Sequence, residues 1–371
     1  MRVNSLKLVN YRNYQELELA FQPALNIFIG CNAQGKTNIL EAVYYAACGS
    51  SFRGNSDGEL IKWNADGGSI FLGFSRLEVA NQLDFAFRRD KRRTIVYNGQ
   101  KIPLRELIGA FNVVLFAPDD LLLIKGAPAG RRKFLDMEIS QASPAYYREL
   151  ITYNRLLQQR NSLLKEIREG KSKAGMLEFW NPQMAASAAK ITAKRLEAVQ
   201  KFNMLANLMQ RRISGNEENL SLSYQIKGME NGQLAENMEI WYNEMLHGLN
   251  NEEIYRGVTC VGPHRDDIIV SVNGINLKSF GSQGQQRTAV LSMKLSELEF
   301  IRSETGEYPV LLLDDVMSEL DAGRRQQLLN FIEREGIQTL ITATDEAYFQ
   351  QAPLKTYFQV EAGQVKVVNK V

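Results

Sequence analysis

Apolar side chains recur at every second position near the start of the chain. Leu6-Lys7-Leu8-Val9 and Glu16-Leu17-Glu18-Leu19-Ala20-Phe21 read as a hairpin with one buried face. Leu25-Asn26-Ile27-Phe28-Ile29 is a short strand for the interior, and a helix is expected over 36–47, after a glycine-bounded loop. Strand patterns resume at 70–79, 83–88 and 94–97, where Asn98-Gly99 marks a tight turn. Phe111-Asn112-Val113-Val114-Leu115-Phe116 is another buried strand, stopped by Pro118.

The period changes near residue 130. Helices are expected over 131–140, 144–169 and 176–213, the last broken or started near Pro182. Along it Leu177, Trp180, Met184, Ala188, Ile191, Ala198, Phe202, Leu205 and Met209 keep helical spacing, with Arg195 the one interruption. That is one packed stripe, too short for an extended coiled-coil arm. A further helix is expected over 234–249. Strands return at 267–272 (before Asn273-Gly274), 310–313, 339–342, 357–360 and 365–368, with helices over 285–302 and 321–335. The organisation is α/β, then a mainly helical insertion over 131–249, then α/β over 250–371. Strand-rich ends must find partners, so one sheet completed from both ends is expected.

Composition adds bounds. The 371 residues are 44% hydrophobic and 23% charged, a globular balance sufficient for two or three domains. No apolar run is long enough for a membrane span. The first residues lack the apolar core of a signal peptide. Three cysteines and two histidines exclude a disulfide framework or a histidine-rich metal site, and a cytoplasmic location is expected. Net charge is only +2, but residues 1–133 carry 18 basic and 12 acidic side chains. Arg88-Arg89-Asp90-Lys91-Arg92-Arg93 puts five positive charges in six residues, and Arg131-Arg132-Lys133 is a second cluster. Arg88, Arg89, Lys91, Arg92 and Arg93 are therefore candidates for DNA contact; a solvated hairpin edge is the alternative.

Gly30-Cys31-Asn32-Ala33-Gln34-Gly35-Lys36-Thr37 matches GxxxxGK[ST] between an expected strand and an expected helix. In such a loop the backbone N–H groups cradle phosphate, Lys36 reaches the β- and γ-phosphates, and the Thr37 hydroxyl ligates Mg²⁺. Leu311-Leu312-Leu313-Asp314-Asp315 is an apolar strand ending in paired carboxylates, costly to bury together unless a cation lies between them and the ligand. Asp314 is the candidate Mg²⁺ ligand, and Asp315 the general base. Gly281-Ser282-Gln283-Gly284-Gln285 before a helix offers a hydroxyl, backbone N–H groups and a helix dipole. Since one loop already holds the nucleotide, this turn is expected to meet the nucleotide of a second copy. An ordinary cap by Ser282 is the alternative.

Together with Ser318-Glu319-Leu320-Asp321, these motifs resemble an ABC-type ATPase head of the SMC/Rad50 kind, and within that group the chain is similar to the RecF family of bacterial recombination mediators. Gly262-Pro263-His264-Arg265-Asp266-Asp267 and Phe116-Ala117-Pro118-Asp119-Asp120-Leu121 carry the closer likeness. The resemblance implies a two-lobed α/β head built from 1–130 and 250–371, with a short helical arm over 131–249. It implies ATP and Mg²⁺ as cofactors, a homodimer sandwiching ATP, a signature loop acting in trans, and Ser318 to Asp321 as the D-loop. It places Arg12 and Asn13 at the nucleotide. It further implies weak ATP hydrolysis, binding of double-stranded and gapped DNA, RecR with RecO as partners, and RecA loading in replication-gap repair and the SOS response. The chain departs from the wider pattern at the catalytic glutamate (Asp315 here) and at the switch histidine (Thr344 or Asp345). No Q-loop glutamine is evident, with Asp119 or Asp120 near that place. His264 reads as structural more readily than catalytic.

Overall fold

The computed structural model describes residues 1–54, 56–230, 235–349 and 355–368. It forms two compact units, Met1–Asp120 with Lys294–Val371, and Leu121–Met293.

The first unit is built on two six-stranded sheets. In one, the strands run Gln364–Val368, Lys355–Glu361, Leu25–Ile29, Thr339–Ala343, Val310–Asp314, Val113–Phe116. All are parallel except the outermost, Gln364–Val368. Leu25–Ile29 lies between two strands from the far end of the chain, so the sheet is indeed completed from both ends. Its central strands are buried along their whole length, as expected of a parallel sheet covered on both faces. The other sheet is antiparallel and begins with the pair Arg2–Tyr11 and Tyr14–Ala20. It continues through Gly67–Arg76, Val79–Arg88, Lys91–Tyr97 and Gln100–Lys101. The helix Lys36–Cys48 touches strands of both sheets. That explains its composition: Ile39, Leu40, Ala42, Val43, Tyr45 and Ala46 are all fully buried, and a helix covered on all sides needs no polar face.

The second unit packs the helices Pro128–Ala142, Pro144–Arg168, Leu177–Ile213, Met238–Gly248 and Asn250–Arg256 with a three-stranded sheet. The helix Leu177–Ile213 runs unbroken through Pro182. The proline sits in the second turn, where it forfeits a single backbone hydrogen bond near the end. The helix expected from 234 begins at Met238, capped by Asn237; residue 234 itself lies outside the described residues. The strand Leu220–Gln225 was not expected. It pairs antiparallel with Asp267–Val272, and its signal is the alternation of Leu220, Leu222 and Tyr224 with Ser221, Ser223 and Gln225.

Arg195, the interruption in the apolar stripe, is 2% exposed. Its guanidinium donates to both Asp136 carboxylate oxygens (3.0 and 2.9 Å), to the Tyr224 hydroxyl (3.0 Å) and to the Pro263 carbonyl (2.6 Å). A buried charge is tolerated when it is paired and fully hydrogen-bonded. Next to it, the His264 ring is held between the Tyr153 hydroxyl (2.6 Å, Nδ1) and the Thr259 carbonyl (3.1 Å, Nε2). A carbonyl only accepts, so Nε2 carries the proton and Nδ1 accepts from Tyr153. His264 is thus a structural member of this network.

Burial pushes the His264 pKa down to about 4, and burial pushes Asp266 up to about 6 against hydrogen bonds from Lys227 N and Tyr224. The neutral imidazole favours the fold, so its contribution is lost as pH falls from the unfolded histidine value of about 6.5 towards 4. Asp266 acts with opposite sign, its protonation favouring the fold as pH falls through 6. His264→Asn removes the first term only. The stability of that variant relative to the parent should therefore improve as pH is lowered from neutrality to about 4, read by urea midpoints at each pH; a constant difference would refute it.

Candidate nucleotide-binding site

The glycine-bounded loop connects the strand Leu25–Ile29 to the helix Lys36–Cys48. Two of its positions need left-handed backbone, Ala33 (φ 65°) and Gly35 (φ 111°). A Cβ on Gly35 would also collide with the Asn13 amide and lie 2.8 Å from the Tyr14 hydroxyl. A Cβ on Gly30 would strike the Val360 carbonyl oxygen. The loop is gripped from two directions. Tyr14 donates to the Gly35 carbonyl (3.0 Å) and the Asn13 amide to the Gln34 carbonyl (3.1 Å). From the C-terminal hairpin, Ala362 N donates to Gln34 Oε1 (2.6 Å) and Gly363 N to the Gln34 carbonyl (3.3 Å). The helix that follows has no side-chain cap and no acidic residue in its first turn. Its positive end is therefore left for an anion.

Lys36 is 7% exposed, and its ammonium donates to the carbonyls of Gly30 (2.6 Å) and Cys31 (2.8 Å). Burial lowers its pKa, opposed by the Asp315 carboxylate. Thr37 donates to Asp314 Oδ1 (2.8 Å), and Thr342 donates to the same oxygen (2.8 Å). The Thr342 hydroxyl in turn accepts from Asp315 N (2.9 Å). Asp315 itself has φ 53°, a left-handed turn at the strand end that takes its side chain off the strand's alternation. Burial raises the Asp315 pKa, with Lys36 opposing and Asp314 adding to the rise. Three parallel strands thus converge at their carboxyl ends, the usual ligand side of an open α/β sheet. The hard oxygens of Thr37 and Asp314 suit Mg²⁺, which takes few protein ligands and keeps water and phosphate as the rest.

The sequence candidates fall out unevenly. Gly30, Gly35, Lys36, Thr37, Asp314 and Asp315 meet at this site, with Asn13 touching the loop. Cys31, Asn32 and Ala33 are exposed on it. The Arg12 guanidinium donates to Glu41 Oε2 (2.8 Å) and to the Glu59 carbonyl (3.0 Å), and Glu41 is fully buried. Thr342 was missed, although a threonine closing an apolar strand was its signal. Thr344 and Asp345 are exposed, and Asp345 accepts from Ala347 N (2.8 Å). Asp120 accepts from Ala117 N (2.8 Å), closing its own turn, while Asp119 is exposed.

In the second unit the Ser282 hydroxyl accepts from Gln285 N (3.2 Å) and the Gln285 amide oxygen accepts from Ser282 N (3.1 Å). This reciprocal box leaves Ser282, Gln283 and Gly284 exposed on a rigid turn. In the stretch Ser318 to Asp321, Leu320 is buried, Ser318 and Glu319 are exposed, and Asp321 caps the helix Ala322–Glu335 through Arg324 N (2.9 Å). Of the basic turn, Arg88, Lys91 and Arg92 are exposed. Arg93 is tied to Asp57 (3.0 Å) and stacks over Tyr45.

Residues 2–368 match the model of the RecF/RecN/SMC N terminal domain. The chain is 44% identical over 352 residues to the DNA replication and repair protein RecF of Alkaliphilus oremlandii, covering 93% of each. It is 42% identical over 372 residues to that of Listeria monocytogenes, covering 99% of this chain and 100% of the relative. A solved structure of the recombination mediator protein RecF with ATP, in the RecFOR pathway, superposes with TM-score 0.92 at 34% identity, covering 99% of this chain and 98% of that one. The Smc head of Pyrococcus furiosus shares the fold alone, with TM-score 0.58 and 16% identity over 99% of this chain and 96% of that one.

Gly35→Ala combines positive φ with a close approach, so it should destabilise the chain by about 1–3 kcal/mol. Thermal unfolding tests this; an unchanged midpoint would mean the loop adapts freely.

Proposed function

The chain belongs to the RecF family, within the wider RecF/RecN/SMC group, and from that membership we propose that it is an ATP-dependent, DNA-binding recombination mediator. The observation that carries the reading is the meeting of Thr37 with Asp314, since a phosphate loop beside a carboxylate at a strand end is a nucleotide–metal site. The functional head in this reading is 1–130 with 250–371, and 131–249 is the arm. That division follows the nucleotide motifs, whereas the compact units follow packing.

ATP lies along Gly30 to Thr37, with Asn13 beside the loop. Lys36 exchanges its two carbonyl partners for the β- and γ-phosphates. Thr37 and Asp314 hold Mg²⁺, which neutralises charge on the phosphate oxygens when bound. Asp315 takes the proton of the attacking water. It is one methylene shorter than the glutamate usual in ABC-type ATPases, and misplacement at that distance slows chemistry strongly, so turnover is weak and serves to reset the assembly. The Ser282, Gln283, Gly284, Gln285 turn of a second copy closes on the γ-phosphate, and Ser318 to Asp321 cross to the partner. ATP then works through its preference for the closed dimer. The dimer presents Arg88, Arg89, Lys91 and Arg92 to double-stranded or gapped DNA, with Arg93 as their support. RecR, with RecO, is the expected partner, and RecA loading during replication-gap repair and the SOS response the outcome. A cytoplasmic location fits this role; among the described residues no helix is long and apolar enough to cross a membrane.

Lys36→Met should abolish ATP-dependent dimers in gel filtration with a non-hydrolysable ATP analogue; dimers of unchanged size would count against the sandwich. Ser282→Arg should keep ATP binding and lose dimerisation, with a capping cost of about 1 kcal/mol. Reversing Arg88 and Arg92 to Glu should weaken DNA binding and flatten its dependence on salt by roughly one unit of log–log slope per lost phosphate contact. An unchanged slope places the DNA elsewhere.

A further inference from the structure

Trp63 is 89% exposed, while Trp180 and Trp241 are half-buried. A tryptophan is seldom left so open, and this one stands on a fixed turn. Lys62 N donates to the Asn10 carbonyl (2.8 Å) and Ala65 N to the Lys62 carbonyl (3.1 Å), while Asn64 takes φ 65°. Arg89, from the basic turn, braces the far side: its Nε donates to the Ala65 carbonyl (3.0 Å) and its N to the Asp66 carbonyl (3.4 Å). The turn that carries the indole is thus hydrogen-bonded to the basic turn, and the two turns, 62–66 and 88–92, together hold Lys62, Arg88, Arg89, Lys91 and Arg92 against the acids Asp66 and Asp90. The indole's immediate chain neighbours, Lys62 and Asn64, are polar, and the next exposed large apolar side chain along the sequence is Phe71, 36% exposed against 89% for Trp63. A protein-docking hot spot is usually ringed by other apolar contacts; a lone aromatic ring in a cationic field is the makeup of a single-strand stacking platform.

We propose that Trp63 stacks on an unpaired base of bound nucleic acid, with the Arg88 to Arg92 turn holding the adjoining phosphates. The inference rests on the DNA-binding reading above and deepens it. A duplex offers phosphates to the basic turn but hides its base faces, whereas a gap or junction exposes them. Trp63 thereby distinguishes gapped from continuous DNA, and the turn supplies affinity common to both.

The test uses the full chain with ATP and three labelled probes: a continuous duplex, the same duplex with a single-stranded gap, and oligo(dT). Trp63→Ala should weaken gapped DNA and oligo(dT) by about fivefold to a hundredfold and leave the duplex within about twofold, with Trp63→Phe retaining most of the affinity. In a Trp180→Phe/Trp241→Phe background, oligo(dT) should quench the remaining tryptophan emission. Equal loss on all three probes, or no loss, would overturn the stacking role while leaving DNA binding intact. Loss of ATP affinity with DNA binding unchanged would assign the indole to the nucleotide instead. An unchanged DNA affinity with loss of binding to a protein partner would assign it to that partner. If the parent chain binds none of the probes, the DNA-binding reading fails first and takes this one with it.

Discussion

One carboxylate oxygen ties the site together. Asp314 Oδ1 accepts from Thr37, at the start of the phosphate-loop helix, and from Thr342, on the next strand. The first of these bonds spans 277 positions of sequence. The bonds matter to the carboxylate itself: buried without donors it would carry a desolvation cost of several kcal/mol. The sheet order, with strands from both chain ends alternating around Leu25–Ile29, is what allows these groups to meet. The fold can thus be read as the means of bringing two distant segments within one hydrogen bond of each other.

The surrounding electrostatics set two opposite charges, each partly desolvated, against each other. Lys36 is buried enough to have its pKa lowered, and Asp315 enough to have its pKa raised. Each moderates the other through charge. The Lys36 ammonium donates to two carbonyls of its own loop, weaker partners than charged oxygens. Thr342 links the two carboxylates, since its hydroxyl donates to Asp314 and accepts from Asp315 N. Its position couples the placing of Asp314 to the placing of Asp315.

How much of this was legible beforehand depended on whether a residue's role was set locally. The phosphate loop and the acidic strand end are short-range patterns, and each lies between the elements its spacing implied; the cap by Ser282 was the alternative reading of its turn and is present, whereas the cap by Asp321 was not read beforehand. Roles set by packing were not legible. Arg195 looked like a defect in an apolar stripe and is the centre of a buried ion-pair network. Leu220–Gln225 was obscured because a six-residue alternation is weak beside a long helix. Thr342 was only half legible: a threonine closing an apolar strand hints at a role, but nothing in Thr339-Leu340-Ile341-Thr342 says which carboxylate its hydroxyl will find. Arg12, placed at the nucleotide by the resemblance, also holds the Glu41 carboxylate, a partner 29 positions away that no local pattern specifies.

The grip of the C-terminal hairpin on Gln34 carries one more consequence. Because Ala362 and Gly363 donate to this residue, the curl of the loop is held in part by chain from the opposite end of the polypeptide. Lifting the hairpin would strip both bonds from Gln34, so a segment 328 positions away in sequence serves as its buttress.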